Sequence, residues 1–140
     1  GSRFIVNCYN DGALLSLGDV HASQGDTEFY GFADECRATV TLSCEIVKGR
    51  QIPFPRIEKP DSIVSLFCFR PLEEAVVTAI GNLMEWLVTE YGMAPREAHM
   101  HTSVNPDFRV NIYQMIRVGR LQYTVGAEIP KRYLPTAPRR

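Results

Sequence analysis

The spacing of apolar residues changes at Pro71, and this change limits the possible folds more than any other feature of the chain. Before it, residues 38–48 alternate apolar and polar side chains, which predicts a half-buried strand, and residues 63–69 predict a buried strand. After it, apolar residues recur at steps of three and four, so a long helix is expected over residues 71–91. The helical stripe comprises Leu72, Ala75, Val76, Ala79, Ile80, Leu83 and Leu87.

The rest of the chain predicts shorter elements. Pro95 opens a short helix toward Met100, and the prolines of residues 49–61 predict an extended surface loop. Residues 135–140 form a polar tail that we expect to fray. Strand-like patterns occur in two pairs, a hairpin around Asn10-Asp11-Gly12 and a closing pair around Gly119, at residues 3–9, 13–17, 108–116 and 121–129.

These elements predict an α+β fold in a single domain over residues 1–140. We expect a β-rich body, with sandwich or barrel-like strands, and one long and one short helix packed on a mixed sheet. A chain of this length can bury a core without a metal or disulfide, so any cofactor serves function. The chain begins with Gly1-Ser2 rather than Met, which suggests a processed, tagged or excised piece.

Charge and cysteine content limit the possible partners and compartment. Lys and Arg number 15 against 16 Asp and Glu, and the cations are scattered, so neither nucleic acid nor an anionic membrane is an expected partner. No apolar stretch is long enough to span a bilayer. The cysteines form no C-x-x-C pair, which predicts buried free thiols and a cytoplasmic protein: Cys8, Cys36, Cys44 and Cys68.

Residues 18–28 are the densest polar stretch that follows a strand-like segment. If the chain stays extended there, Asp19 and His21 project from one face and could bind one divalent ion. Gly25 allows a turn that would return Asp26 or Glu28 to the same space. Clustered carboxylates suit general acid or base chemistry. The same residues are also typical of an ordinary polar turn, and spacing does not decide between these interpretations.

A second polar cluster surrounds the end of the short helix. Two histidines two positions apart diverge by about 200° on a helix, so a metal site is not favoured there. We expect a structural role, with Asp107 accepting hydrogen bonds from backbone donors and Arg109 pairing with a carboxylate. The cluster consists of His99, His101, Ser103, Asn105, Asp107 and Arg109.

Several motifs in register resemble the signature of the acetamidase/formamidase family. The resemblance covers nearly the whole chain and corresponds to the C-terminal half of family enzymes, which are about twice as long or more. It departs from the family at Thr27, where a glycine is usual, and at Asn105-Pro106, where smaller residues are usual. The matching motifs are Gly12-Ala13-Leu14-Leu15-Ser16-Leu17-Gly18-Asp19-Val20-His21, Gln24-Gly25-Asp26-Thr27-Glu28, Gly31, Glu35, Leu72-Glu73-Glu74-Ala75, the segment from Ser103 through Asp107-Phe108-Arg109-Val110, and Ile129-Pro130-Lys131.

The resemblance implies metal-assisted hydrolysis of linear amides such as formamide and acetamide to a carboxylate and ammonia. It implies Asp19 and His21 as ligands of a divalent ion, expected to be zinc, with Glu28 as the catalytic carboxylate and Asp26 as the next carboxylate or a further ligand. No other cofactor is expected. The alternative is a non-catalytic half that completes a site with a missing N-terminal half. A small amide, a homo-oligomer and such a half are therefore the expected partners.

Overall fold

A computed structural model describes residues 1–136 of the chain. The strands and helices are β1 (Arg3–Ile5), β2 (Arg56–Glu58), β3 (Ser62–Phe69), α1 (Leu72–Thr89), α2 (Pro95–Val104), β4 (Arg109–Gln114) and β5 (Tyr123–Pro130). Two single 3-10 turns lie at Asp26–Glu28 and Lys131–Tyr133. The five strands form one sheet in the order β1-β2-β3-β5-β4.

The core lies between α1 and one face of the two longest strands. Leu83 and Leu87 of α1 are fully buried against Ile63 of β3 and Ile129 of β5. The Ser65 hydroxyl also faces the helix and donates a 2.5 Å hydrogen bond to the Ala79 carbonyl. The helical stripe read from the sequence is therefore confirmed as the packing face.

A charged cluster fastens the end of α1 to the segment that leads into β2. Arg56 is only 2% exposed and lies between the rings of Phe54 and Trp86, at 4.7 and 4.4 Å from their centroids. Its guanidinium binds Glu90, which also accepts a 2.6 Å bond from Arg50. Burial alone raises the pKa of the Glu90 carboxyl, but these bonds from Arg56 and Arg50 hold the pKa below its usual value.

The α+β class is confirmed, but the sheet is antiparallel rather than mixed in the described part of the chain. The two helices carry the chain from β3 to β4, which run in the same direction. The hairpin partner β5 then inserts between them and pairs with both. Because β5 separates the two parallel strands, every pair of neighbours is antiparallel.

The largest error of the sequence interpretation is the strand predicted at residues 38–48. These residues form no strand, and Ile46 is 80% exposed. Alternating side chains form a strand only when a partner strand and a packed face exist. Residues 38–48 have neither within the described residues 1–136. The four cysteines, expected to be buried, are all exposed. Cys68 lies on the surface of the sheet, and the other three lie outside the strands.

The predicted hairpin at the start of the chain is also wrong. Residues 13–17 form no strand, and β1 pairs with β2, inside the segment expected to be a loop. Phe4 of β1 lies opposite Ile57, so a long-range pair replaces the local one. The closing strand pair is confirmed as β4 and β5. Most of the tail predicted to fray, residues 137–140, lies outside the described residues.

Candidate active site

A short antiparallel bridge brings together two residues that are 14 positions apart. The Ala22 amide donates to the Asp34 carbonyl at 2.8 Å, and the Cys36 amide donates to the Val20 carbonyl at 3.1 Å. His21 and Glu35 therefore lie directly opposite one another. Side chains of opposed residues in an antiparallel pair project from the same face, so the bridge itself places an imidazole beside a carboxylate.

Asp19 reaches the same place through a left-handed backbone turn. Its φ is +59°, a conformation that Asp adopts more readily than most residues. The turn sets Asp19 Oδ1 at 3.1 Å from His21 Nε2, while Glu35 Oε1 lies 3.9 Å from the same nitrogen. Each residue offers one possible metal-ligand atom, and these three atoms lie within 4.8 Å of one another. A metal ion would need this arrangement. We call these three residues the Asp-His-Glu cluster.

The surroundings of His21 favour positive charge at this point. The hydrogen bond with Gln24, followed by the one with Asp19, raises the pKa of the imidazole, and the charge of Glu28 adds to the effect. The ring is 9% exposed, whereas the carboxylates of Asp19 and Glu35 are 78% and 69% exposed. The cluster is thus an anionic site open to solvent on one side, able to hold a proton or a cation.

The turn Asp26–Glu28 is fastened to β4 beside the cluster. The Met115 amide donates to the Thr27 carbonyl at 2.6 Å, and Gln24 Nε2 donates to the Tyr113 carbonyl at 2.8 Å. Thr27 and Glu28 both have positive φ, at +74° and +42°. These contacts keep the whole polar segment against the edge of the sheet.

The two predicted catalytic carboxylates, Glu28 and Asp26, are not members of the Asp-His-Glu cluster. Glu28 is half-buried, and its charge contributes to the raised pKa of His21. Asp26 is exposed, and its charge adds to the burial that raises the pKa of Tyr113. The roles assigned to Glu28 and Asp26 stay predictions.

Asp19 and His21 lie close together, but not through the extended strand that the sequence predicts, and Glu35 is not among the residues predicted from the sequence. The expected extended strand is absent, because Asp19 is left-handed and only His21 takes part in a bridge. Glu35 belongs to the motif that carried the family resemblance, but nothing in its spacing from His21 indicates contact. The available signal was its position in that motif.

The second polar cluster has a structural role, as expected, with different partners. Asp107 binds Arg132 at 2.5 Å and also the Tyr133 hydroxyl, which fastens the last 3-10 turn to the loop after α2. Arg109 donates to the carbonyls of Pro106 and Phe108 rather than to a carboxylate. The bond from Tyr133, followed by the one from Arg132, lowers the pKa of the Asp107 carboxyl.

A polar network on the sheet face opposite the helices was not predicted. Glu128 of β5 accepts hydrogen bonds from Lys59 at 2.8 Å, Ser62 at 2.5 Å and Asn111 at 2.7 Å. Its four members come from three strands and one loop, and each is unremarkable in its own sequence context. Burial alone raises the pKa of Glu128, but these bonds lower it below its usual value.

Comparison with known proteins assigns the chain to a family. The family model described as the Acetamidase/Formamidase family matches residues 1–116, which include every member of the Asp-His-Glu cluster. The chain belongs to the acetamidase/formamidase family. A search of curated proteins finds no match. No helix among residues 1–136 is long and apolar enough to cross a membrane.

Two solved acetamidases resemble the chain in three dimensions. The acetamidase from Yersinia enterocolitica is 34% identical with a TM-score of 0.70, and the match covers 80% of this chain and 32% of that one. The acetamidase from Bacillus halodurans is 26% identical with a TM-score of 0.75, over 95% of this chain and 43% of that one. This family member therefore spans less than half the length of either solved acetamidase.

Proposed function

We propose that this chain hydrolyses short linear amides of the formamide and acetamide type to a carboxylate and ammonia, with the help of a divalent metal ion. The observation that carries the proposal is the convergence of Asp19, His21 and Glu35 within the segment matched by the family model. The similarity to two solved acetamidases supports the reaction class.

The chemistry of the cluster fits a divalent ion. One imidazole nitrogen and two carboxylate oxygens are donors that zinc accepts, and three protein ligands leave a fourth position for water. His21 Nε2 faces two carboxylates, an arrangement that a cation between them would stabilise. We therefore propose zinc, held by Asp19, His21 and the newly identified Glu35.

Asp19, His21 and Glu35 would hold the divalent ion, which would supply a water of lowered pKa and polarise the substrate carbonyl. An amide also has a poor leaving group, so a side chain must accept a proton from water and deliver one to the departing nitrogen. We assign this role to Glu28, which is half-buried next to the cluster. Asp26, exposed at the start of the same turn, is the next carboxylate to test.

The test is ammonia release from formamide and acetamide by the purified chain, with zinc and with a chelator. We expect Glu28→Gln to abolish turnover while the fold remains intact, because the amide keeps the shape of the side chain but cannot accept the proton. Glu85→Gln, on the exposed side of α1, is the matched control and should keep full activity. Full activity of Glu28→Gln would remove Glu28 from the mechanism.

The second candidate is a half that completes an active site together with another polypeptide. Two observations favour it: the chain spans 32% and 43% of the solved acetamidases, and residues 38–48 expose an apolar face. In this proposal, residues 1–140 are one domain equivalent to the C-terminal half of a family enzyme. Free cysteines suit the reducing cytoplasm as its compartment.

This second candidate predicts that the chain alone releases no ammonia with zinc present. Activity should appear when the part of the Yersinia enterocolitica acetamidase outside the matched segment is supplied. Light scattering would show whether a second copy of this chain takes that place instead. Activity of the isolated monomer would exclude the second candidate.

A further inference from the structure

The side chain of Gln24 connects His21 to strand β4. Gln24 Oε1 lies 2.7 Å from His21 Nδ1, and Gln24 Nε2 lies 2.8 Å from the Tyr113 carbonyl oxygen. The two bonds use both ends of one amide group. The orientation of the Gln24 amide therefore determines which nitrogen of the His21 ring carries the hydrogen.

The Tyr113 carbonyl belongs to β4, an edge strand of the sheet, whose outer side pairs with no other strand within residues 1–136. The pairing of β4 with β5 shifts between Ile112 and Gln114, which leaves Tyr113 without a partner residue on β5. A carbonyl oxygen only accepts hydrogen bonds, so the amide nitrogen of Gln24 must face it. Gln24 Oε1, also an acceptor, must then face His21, and Nδ1 must carry the hydrogen.

This hydrogen-bond order leaves the other ring nitrogen free when the imidazole is neutral. His21 Nε2 then directs its lone pair toward the space it shares with Asp19 and Glu35, at 3.1 and 3.9 Å from their oxygens. A lone pair facing carboxylate oxygens at these distances is repulsive, and either a proton on Nε2 or a cation between the three groups relieves the repulsion. The bond from Gln24 thus selects the ring form in which Nε2 is a ligand.

We propose that Gln24 is a positioning residue, which holds His21 in the Nδ1-protonated tautomer so that Nε2 can bind a divalent ion together with Asp19 and Glu35. This inference rests on the metal site of the proposed function. A hydrogen bond to the second nitrogen of a ligating histidine typically contributes a factor of about 10 to 100 to metal affinity. Tyr113, through its backbone oxygen alone, fixes the direction of Gln24.

The experiment compares zinc binding by Gln24→Leu and by the unaltered chain, using calorimetry. We expect the variant to bind zinc about 10- to 100-fold more weakly, because its side chain cannot accept from Nδ1. Ser23→Ala is the matched control, since Ser23 binds Asp34 in the same segment and does not touch His21. Its zinc affinity should stay unchanged. Circular dichroism checks that both variants keep the helices.

Nitrogen NMR of the His21 ring shows whether Gln24 selects the tautomer of the ring or only holds the loop in place. With zinc bound, Nδ1 of His21 in the unaltered chain should carry the hydrogen. Without zinc and above the pKa of the ring, the share of rings with the hydrogen on Nδ1 should be lower in Gln24→Leu than in the unaltered chain. An unchanged tautomer, or zinc affinity within about twofold of the unaltered chain, would overturn the inference, since a typical contribution is far larger.

The outcomes also separate this inference from the proposed reaction. If Gln24→Leu weakens zinc binding but the unaltered chain releases no ammonia in any setting, the positioning role stands and amide hydrolysis fails. If His21→Ala leaves zinc affinity unchanged, the cluster is not the metal site, and the inference fails whatever the ammonia assay gives.

Discussion

Two parts of this molecule are held in place by different interactions. Residues 56–136 contain four of the five strands and both helices, around a core in which Leu83 is fully buried. Residues 1–51 contribute only the short edge strand β1 and contain no buried residue, although they carry most of the exposed large apolar side chains and hold the candidate site. Residues 56–136 fold by packing, whereas residues 1–51 are positioned by a few hydrogen bonds to them. The candidate site therefore depends on these bonds.

Replacing a buried leucine of the core tests this contrast directly and should have the largest effect. Leu83→Ala should lower the free energy of unfolding by about 2 to 5 kcal/mol, because it leaves a cavity under α1. Leu42→Ala, at a half-exposed position of the segment 38–48, should change it by less than about 0.5 kcal/mol. Urea denaturation of both variants measures the difference. Equal losses would mean that residues 38–48 are packed in solution, so that the two parts of the molecule would not differ in this way.

The second prediction concerns the charged cluster that joins the two parts. Glu90→Gln should destabilise the fold by about 1 to 3 kcal/mol at neutral pH, because Arg56 is left buried without its anion. Since the folded-state pKa of Glu90 is lowered, its contribution is present above the unfolded pKa. It is lost as pH falls through the folded value.

The urea midpoints of Glu90→Gln and the unaltered chain should therefore converge in acid. The control is Glu85→Gln, an exposed carboxylate on the same helix, which should follow the unaltered chain at every pH. A gap that stays constant down to low pH would show that the ionised carboxylate is not what holds Arg56 in place.

The sequence predicts the packed part of the chain better than it predicts residues 1–51. The helix α1 was predictable because its apolar stripe, Pro71 and the acidic first turn are local signals that agree with one another. The strand at residues 38–48 has an equally clear pattern, but alternation does not specify a partner. Local pattern therefore predicted the fold where packing partners exist within residues 1–136, and failed where none does.

The candidate site was predictable only in part for a related reason. Asp19 and His21 are near neighbours in sequence, so almost any turn keeps them close. Glu35 joins them through a bridge of two backbone hydrogen bonds, and no periodicity encodes such a bridge. Gln24 is equally hidden, because its partner on β4, the Tyr113 carbonyl, is 89 residues away and lies where the pairing with β5 is irregular.

The smallest expected effect concerns the turn that joins the site to the sheet. Thr27 has φ of +74°, a region that is unfavourable for a β-branched residue and open to glycine. Thr27→Gly should therefore raise the free energy of unfolding by about 0.5 to 1 kcal/mol, the relief of strain exceeding the added chain entropy. The backbone bond from Met115 to residue 27 needs no side chain and should persist.

Thr39→Gly is the matched control, because Thr39 does not have positive φ and glycine there should give no gain in stability. Both variants are compared by urea denaturation, and their zinc affinities by calorimetry. Since the Gln24 bonds do not involve the Thr27 side chain, Thr27→Gly should leave zinc affinity unchanged. A loss of stability would show that Thr27 is not strained in solution. A loss of zinc affinity would mean that this turn, and not Gln24 alone, holds the cluster against the folded core.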